Sequence, residues 1–359
     1  MAKDIMDAVY GSLIGGAVGD AMGAPTEGML YTEIREKYGK VTTLLPHSVS
    51  YTKGKPGNFT DDTTLRQYLC YAIAQKGGRV TPDDFAKVFI DKVNPARLWT
   101  NELIVRERIR CGINPWEAGL GAIPAGCGPM YIAPIGIINA GDPAQAFQDA
   151  FNIASVNQLG ENRDFAAAFA AAVSVAFLPG ATVEKVTATM GEHGPDIVRR
   201  AMELTMDLAF DSADVDEFTR KFYEKMLDWT WSLPPGRWNK KKFFSGNSRE
   251  FVPVVFAILH FHPDDPDRAI VEGANFGRDC DTIASLVGNI AGAMHGASRL
   301  NREWIDTVEK VNEEFFAELE GDPKKNIRSM AVRLVEALKN TRKAYEERSR
   351  VLGSILEAS

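Results

Sequence analysis

The chain has 359 residues, of which 45% are hydrophobic and 25% charged, with a formal net charge of -7. That balance belongs to a globular protein with a sizeable core and excludes a disordered, fibrous or membrane-spanning chain. A mildly acidic chain also lacks the basic face that a phosphate backbone demands, which excludes a general nucleic-acid partner.

A first helix is predicted near residues 4–23. Met1 to Tyr10 carries Asp4 and Asp7 and has no basic segment leading into a long apolar run, so no secretory signal is expected. The segment from Gly11 to Glu27 is dense in glycine but follows no predicted strand, which makes a dinucleotide fingerprint a poor reading. Gly15, Gly16, Gly19 and Gly23 are read as close-packing positions between helices. Glu27, in a loop just past Pro25, is free to reach a site as an extra carboxylate.

Phe59-Thr60-Asp61-Asp62-Thr63 sits where a loop enters the next helix, whose apolar face is Leu65, Tyr68, Leu69, Ala72 and Ile73. Thr81-Pro82-Asp83-Asp84 reads as an N-cap, a Pro at the first helical position and two first-turn acids, and Asp142-Pro143 opens another helix. Between them lie a helix near 101–110 and the loop Gly126-Cys127-Gly128-Pro129-Met130, which reads equally as a cradle of backbone amides for a phosphate and as a tight connection inside the core. Further helices are expected near 161–177, 194–212, 214–230 and 301–319, with a long, lysine-rich loop at 232–248. Ile283, Leu286, Val287, Ile290, Ala291 and Met294 form the face of another packed helix, with Gly288, Gly292 and Gly296 on a row that admits a close neighbour. From about 322 to 352 an amphipathic helix is expected to pack on the domain or on another subunit.

No convincing alternating strand is present, so the fold class is all-α. One domain is expected over 1–359, with a core at about 5–300 and a helical C-terminal extension at about 301–359. The apolar runs Phe165 to Phe177 and Ile283 to Met294 are too short for a bilayer, which needs roughly 20 apolar residues. Cys70, Cys111, Cys127 and Cys280 show no CxxC spacing, as expected of reduced thiols in a cytoplasm.

The chemistry is concentrated in two clusters, Thr60-Asp61-Asp62-Thr63 and Asp279-Cys280-Asp281-Thr282, each at a helix start. Caps and dipole-complementing acids explain either one alone. Four carboxylates gathered in one interior would instead repel unless cations neutralised them, and an all-oxygen donor set suits magnesium or manganese better than zinc. A helical isoprenoid synthase also combines aspartates with magnesium, but Asp61-Asp62-Thr63-Thr64-Leu65 lacks the later acid of a DDxxD pattern.

Taken in order, GDAMGAPTE at 19–27, FTDDT at 59–63, GCGPMYIAP at 126–134 and GRDCDTIASLVGNIAGAMHG at 277–296 resemble the ADP-ribosylglycohydrolase family over roughly residues 5–300. The resemblance implies an orthogonal all-α domain with two magnesium ions in a cleft, manganese being the alternative. It implies Thr60, Asp61, Asp62, Asp279, Asp281 and Thr282 as metal ligands, and Glu27, with Asp61 or Asp62, for acid/base work. Gly126, Cys127, Gly128 and Met130 match the loop that contacts phosphates and the distal ribose. Family members often carry a Thr-His pair near the place where this chain reads Ser155-Val156-Asn157-Gln158, so Asn157 stands as a substrate contact. Many also have Asn/Gly and Met-Arg in the loop where this chain has Cys127 and Met130-Tyr131. The implied activity is hydrolysis at the anomeric carbon of an ADP-ribosyl conjugate, with a free nucleoside, nucleotide or small ribosyl conjugate as the alternative substrate and a non-catalytic relative as the third reading. The expected partner is a small ribosyl molecule or an ADP-ribosylated protein.

Overall fold

The computed structural model describes residues 4–49, 52–123, 125–231 and 246–357. The chain opens with α1 (Ile5–Gly23), α2 (Tyr31–Tyr38), a small hairpin of β1 (His47–Val49) and β2 (Thr52–Gly54), α3 (Asp61–Lys76), α4 (Pro82–Asp91) and α5 (Thr100–Arg110). The middle of the chain forms α6 (Ala133–Ile138), α7 (Pro143–Ala154), α8 (Glu161–Ala176), α9 (Val183–His193), α10 (Asp196–Phe210) and α11 (Val215–Trp231). The last part forms α12 (Ser248–Phe261), α13 (Pro266–Phe276), α14 (Cys280–His295), α15 (Arg302–Val311), α16 (Glu313–Glu320) and α17 (Ile327–Glu357). The all-α reading holds, with the hairpin its small exception. Among the described residues no helix is long and apolar enough to cross a membrane.

The centre of the molecule is the antiparallel contact of α1 with α14. A β-carbon placed on Gly11, Gly15 or Gly19 would lie 2.4, 2.5 or 2.0 Å from the carbonyl oxygen of Gly292, Gly288 or Ala284, so the two backbones touch along a row with a four-residue step. Three of the four predicted contact positions behave alike, because Gly23 abuts the backbone of Asp281. Gly16 differs in facing the side chains of Asn289 and Arg66. Gly296 is a helix end at φ 84°, not part of the row. Close approach has a functional consequence: it brings the C-terminal end of α1 against the N-terminal end of α14. Helices α3, α13 and α17 also pack on α1, while α8, α12 and α13 pack on α14.

The expected caps form locally. Thr81 and Asp84 make a reciprocal capping box at α4, and Asp142 accepts from Gln145 N–H at α7. The single helix expected over 301–319 is instead broken at Asn312. Its amide donates to the Gly57 and Val308 carbonyls at 2.9 and 2.8 Å, which pins the chain there and lets Phe315 meet Phe59 and Tyr68. In α17 the predicted face is buried at Ile327, Met330, Ala331 and Leu334, against the domain itself. Beyond Thr341 the helix is solvent-exposed. Most of the expected 232–248 loop, residues 232–245, lies outside the described residues, and Ser248 already begins α12.

Candidate metal centre

The first cluster combines capping with something capping does not require. Thr60 Oγ accepts from Asp62 N–H at 3.3 Å, as an N-cap should. Asp62, however, is buried, and its Oδ2 has no hydrogen-bond partner among the described residues. An acid that only complemented the helix dipole would keep its water. Asp20, from α1, accepts from the N–H groups of Thr60 and Thr63 at 3.0 Å each, so the loop entering α3 is fixed to the end of α1.

The second cluster mirrors the first. Asp279 occupies the cap position of α14 but makes no capping bond to the backbone, receiving instead the Thr282 hydroxyl at 3.4 Å. Asp281 is buried with Oδ1 unpartnered among the described residues. Cys280 points the other way, into the core, where its sulfur lies 3.1 Å from Thr26 Oγ.

Gly277 and Arg278 stitch the Glu27 loop to this helix start. Arg278 N–H donates to Met29 O at 2.6 Å, and Gly28 N–H donates to Arg278 O at 2.7 Å. Both residues of the stitch have positive φ, 84° at Gly277 and 62° at Arg278. At Gly277 a β-carbon would lie 2.7 Å from Met29 O. The non-glycine at Arg278 is held in this uncommon conformation by its buried, bidentate ion pair with Glu250.

The stitching sets Glu27 over the second cluster. Ligand atoms of Glu27, Asp279 and Asp281 all lie within 4.8 Å of one another, with Glu27 on the solvent side and Asp281 buried. Although one edge of Glu27 meets solvent, desolvation by the atoms crowded around it and then the charges of Asp279 and Asp61 push it up to about 8. Burial, Glu250 and Asp61 push Asp279 up to about 7. Asp62 and Asp281 are driven well above the ordinary carboxylate range by burial first, then by Asp20 and Asp61 for Asp62, and by Glu27 and Asp62 for Asp281. The charge of half-buried Asp61 contributes to raising Glu27, Asp62 and Asp279, so it is felt in both clusters.

Such a field needs positive charge. Arg66 supplies part of it, buried one helical turn beyond Asp62, yet its guanidinium is committed to Met130 O at 2.9 Å and to the Ser285 hydroxyl. Arg278 is committed to Glu250. Unpartnered oxygens on Asp62 and Asp281, the convergence of Glu27, Asp279 and Asp281, and a donor set of carboxylates and threonine hydroxyls together fit a hard divalent cation.

The glycine-rich loop borders this centre. A β-carbon on Gly126 would lie 3.3 Å from Asp279 Oδ2, and Gly128 rests on the Asn162 backbone of α8. Cys127 and Met130 have buried side chains. Asn157 is fully buried beside Tyr131, and neither end of its amide is satisfied by good hydrogen-bond geometry. Tyr131 is buried and stacked on Phe85 at 5.5 Å.

Sequence reasoning did not select Asp20, Arg66, Glu250 or Glu102 for the site. Asp20 carried a signal, a lone charge among helix neighbours that are all apolar or small, whereas Arg66, one turn after Asp62 and beside Gln67, did not. Glu250 carried none, since its partner lies 28 positions away.

With this geometry in hand, comparison with other proteins is informative. The chain is 24% identical over 330 residues to the uncharacterized protein YegU of Escherichia coli strain K12, covering 85% of this chain and 92% of the relative. It is 26% identical over 310 residues to an uncharacterized protein of Archaeoglobus fulgidus, covering 86% and 92%. It is also 23% identical over 320 residues to the ADP-ribosyl-(dinitrogen reductase) glycohydrolase of Rhodospirillum rubrum, covering 86% and 93%. A solved structure described as an ADP-ribosylglycohydrolase-related protein complex superposes with a TM-score of 0.66 at 20% identity, covering 94% of this chain and 98% of that one, and so shares its fold. The family model for ADP-ribosylglycohydrolase matches residues 1–344, and the chain belongs to that family.

Proposed function

We propose that the protein is a magnesium-dependent glycohydrolase that cleaves the bond at the anomeric ribose carbon of an ADP-ribosyl conjugate. The observation that carries this reading is the meeting of Glu27, Asp279 and Asp281 within 4.8 Å, at a centre whose carboxylates are raised by burial first and by neighbouring carboxylates second.

Thr60, Asp61, Asp62, Asp279, Asp281 and Thr282 would hold the metal. When bound, magnesium, or manganese in its place, supplies Lewis-acid stabilisation and a grip on the vicinal ribose hydroxyls. Departure of the leaving group develops positive charge on the sugar, and the surrounding aspartates stabilise that oxocarbenium-like state. Glu27, on the solvent side of the centre, would take the proton of the attacking water. Asp61 or Asp62 would serve as the alternative base. The backbone of Gly126 to Met130 receives the distal part of the substrate.

A second reading, a smaller and uncharged ribosyl conjugate, is favoured by Tyr131. Where many relatives have arginine, this side chain is buried against Phe85 and brings no cation to the loop. Turnover of ADP-ribosyl-arginine, ADP-ribosyl-serine and simple nucleosides in magnesium separates the two. Release of ADP-ribose supports the first reading and also identifies the bond type. Hydrolysis of nucleosides alone overturns it in favour of the second.

A further inference from the structure

The first turn of α5 contains two consecutive polar residues, Asn101 and Glu102, that are both fully buried. A first-turn glutamate ordinarily complements the helix dipole from solvent. These two instead face the segment that carries the glycine-rich loop. Asn101 Oδ1 accepts from Ile123 N–H at 2.9 Å, and Gln158 Nε2 donates to Ile123 O at 2.9 Å, so the loop's upstream end is held from both sides. Its downstream end is held by Arg66, which donates to Met130 O. Glu102 meets the loop between those fixed points, at Cys127, whose side chain is itself buried.

We propose that Glu102 is a positioning residue: from beneath the loop its carboxyl supports Cys127 and so fixes where the backbone of Gly126 to Met130 meets the substrate. The inference rests on the functional reading above in assigning the substrate to this loop. Neither carboxyl oxygen has a partner with full hydrogen-bond geometry among the described residues, and the nearest donors are the Cys127 thiol, the residue's own N–H and the Asn101 side chain. An ionised carboxylate would be costly in that place. Burial, followed by the charge of Asp61, pushes Glu102 up to about 8 in the metal-free protein. Packing alone would be served equally well by a methionine, which separates this role from a bland one.

The test compares Glu102→Gln and Glu102→Met in the full-length protein by hydrogen exchange of residues 125–131, with residues 283–295 of α14 as the internal control. Glu102→Met is expected to speed exchange in 125–131 about tenfold while leaving the control unchanged, and Glu102→Gln, which keeps a neutral donor and acceptor, is expected to match the wild type. With ADP-ribosyl-arginine as substrate and magnesium present, Glu102→Met should raise KM about tenfold and leave kcat within about threefold. Wild-type exchange in Glu102→Met, or a fall in kcat at constant KM, overturns the proposal. If exchange rises in the α14 control as well, Glu102→Ala replaces Glu102→Met and is judged by the same two criteria. Exchange is read without turnover, so a wild-type protein that hydrolyses no ribosyl conjugate removes the functional reading while the positioning of the loop is still decided.

Discussion

Asp20, inside α1, accepts the backbone N–H groups of Thr60 and Thr63 at 3.0 Å each and thereby fixes the first aspartate cluster to the central helix. Asp20→Ala leaves both donors buried without an acceptor, which costs about 1–3 kcal/mol for each. The expected outcome in urea unfolding is a loss in that range or somewhat above it, together with weaker magnesium binding by calorimetry. Asp20→Asn, which keeps one acceptor oxygen, should lose less on both counts.

Packing of α1 against α14 gives a second prediction. Gly19→Ala would set a β-carbon 2.0 Å from Ala284 O and must separate the two helices. Overpacking of this kind costs about 1–3 kcal/mol, and more where backbone has to move. Gly353→Ala, in the exposed end of α17 with open space around it, should raise stability by about 0.5–1 kcal/mol. Thermal unfolding of the two variants should therefore move in opposite directions.

The Arg278–Glu250 pair is buried and holds the stitch that carries Glu27. Arg278→Met removes the cation of this buried pair, and breaking a buried pair in this way costs about 3–5 kcal/mol. Chemical denaturation checks the magnitude. The double variant Arg278→Met/Glu250→Met should recover part of the loss in stability, because the pair's buried carboxylate is removed with its cation.

Acid–base linkage supplies a prediction for the metal-free protein. Glu27 and Glu102 sit at about 8 and Asp279 at about 7, all above the ordinary carboxylate range of the unfolded chain. The native state therefore binds more protons than the unfolded state between roughly pH 4 and 8, and stability contributed by these groups falls as pH rises through that window. In chelator, the protein should unfold at lower urea at pH 8 than at pH 6. Magnesium should reverse the trend, since cation and proton compete for the same oxygens, and its stabilisation should approach about 2.7 kcal/mol at a hundredfold excess over Kd. A magnesium effect equal at both pH values would contradict this.

Legibility in the sequence followed the range of the interactions. FTDDT and GRDCDT were readable because each completes a local pattern at a helix start, and the glycines at 15, 19 and 23 because their spacing matches a helix row. The pairing of Asp20 with Thr60 spans 40 positions, and Arg278 meets Glu250 across 28, so neither leaves a local trace. Helices α2, α6, α9, α12 and α13 were not anticipated, although Thr182 caps α9 by accepting from Lys185 N–H and Asp265-Pro266 opens α13 in the same way as Asp142-Pro143 opens α7. The break at Asn312 depends on contacts with the Gly57–Asn58 turn, which sequence periodicity does not register.

The central claim is that the two aspartate clusters act as one magnesium centre for ribosyl hydrolysis. Its most direct test is release of ADP-ribose from ADP-ribosyl-arginine and ADP-ribosyl-serine by wild type, Asp61→Asn and Asp281→Asn, each assayed in magnesium and in chelator. The account predicts turnover in wild type with magnesium, loss of that turnover in chelator, and a fall of at least about a hundredfold in both variants, the size expected when a group acting on the transition state is removed. Turnover that persists in chelator, or that survives in either variant, would contradict it.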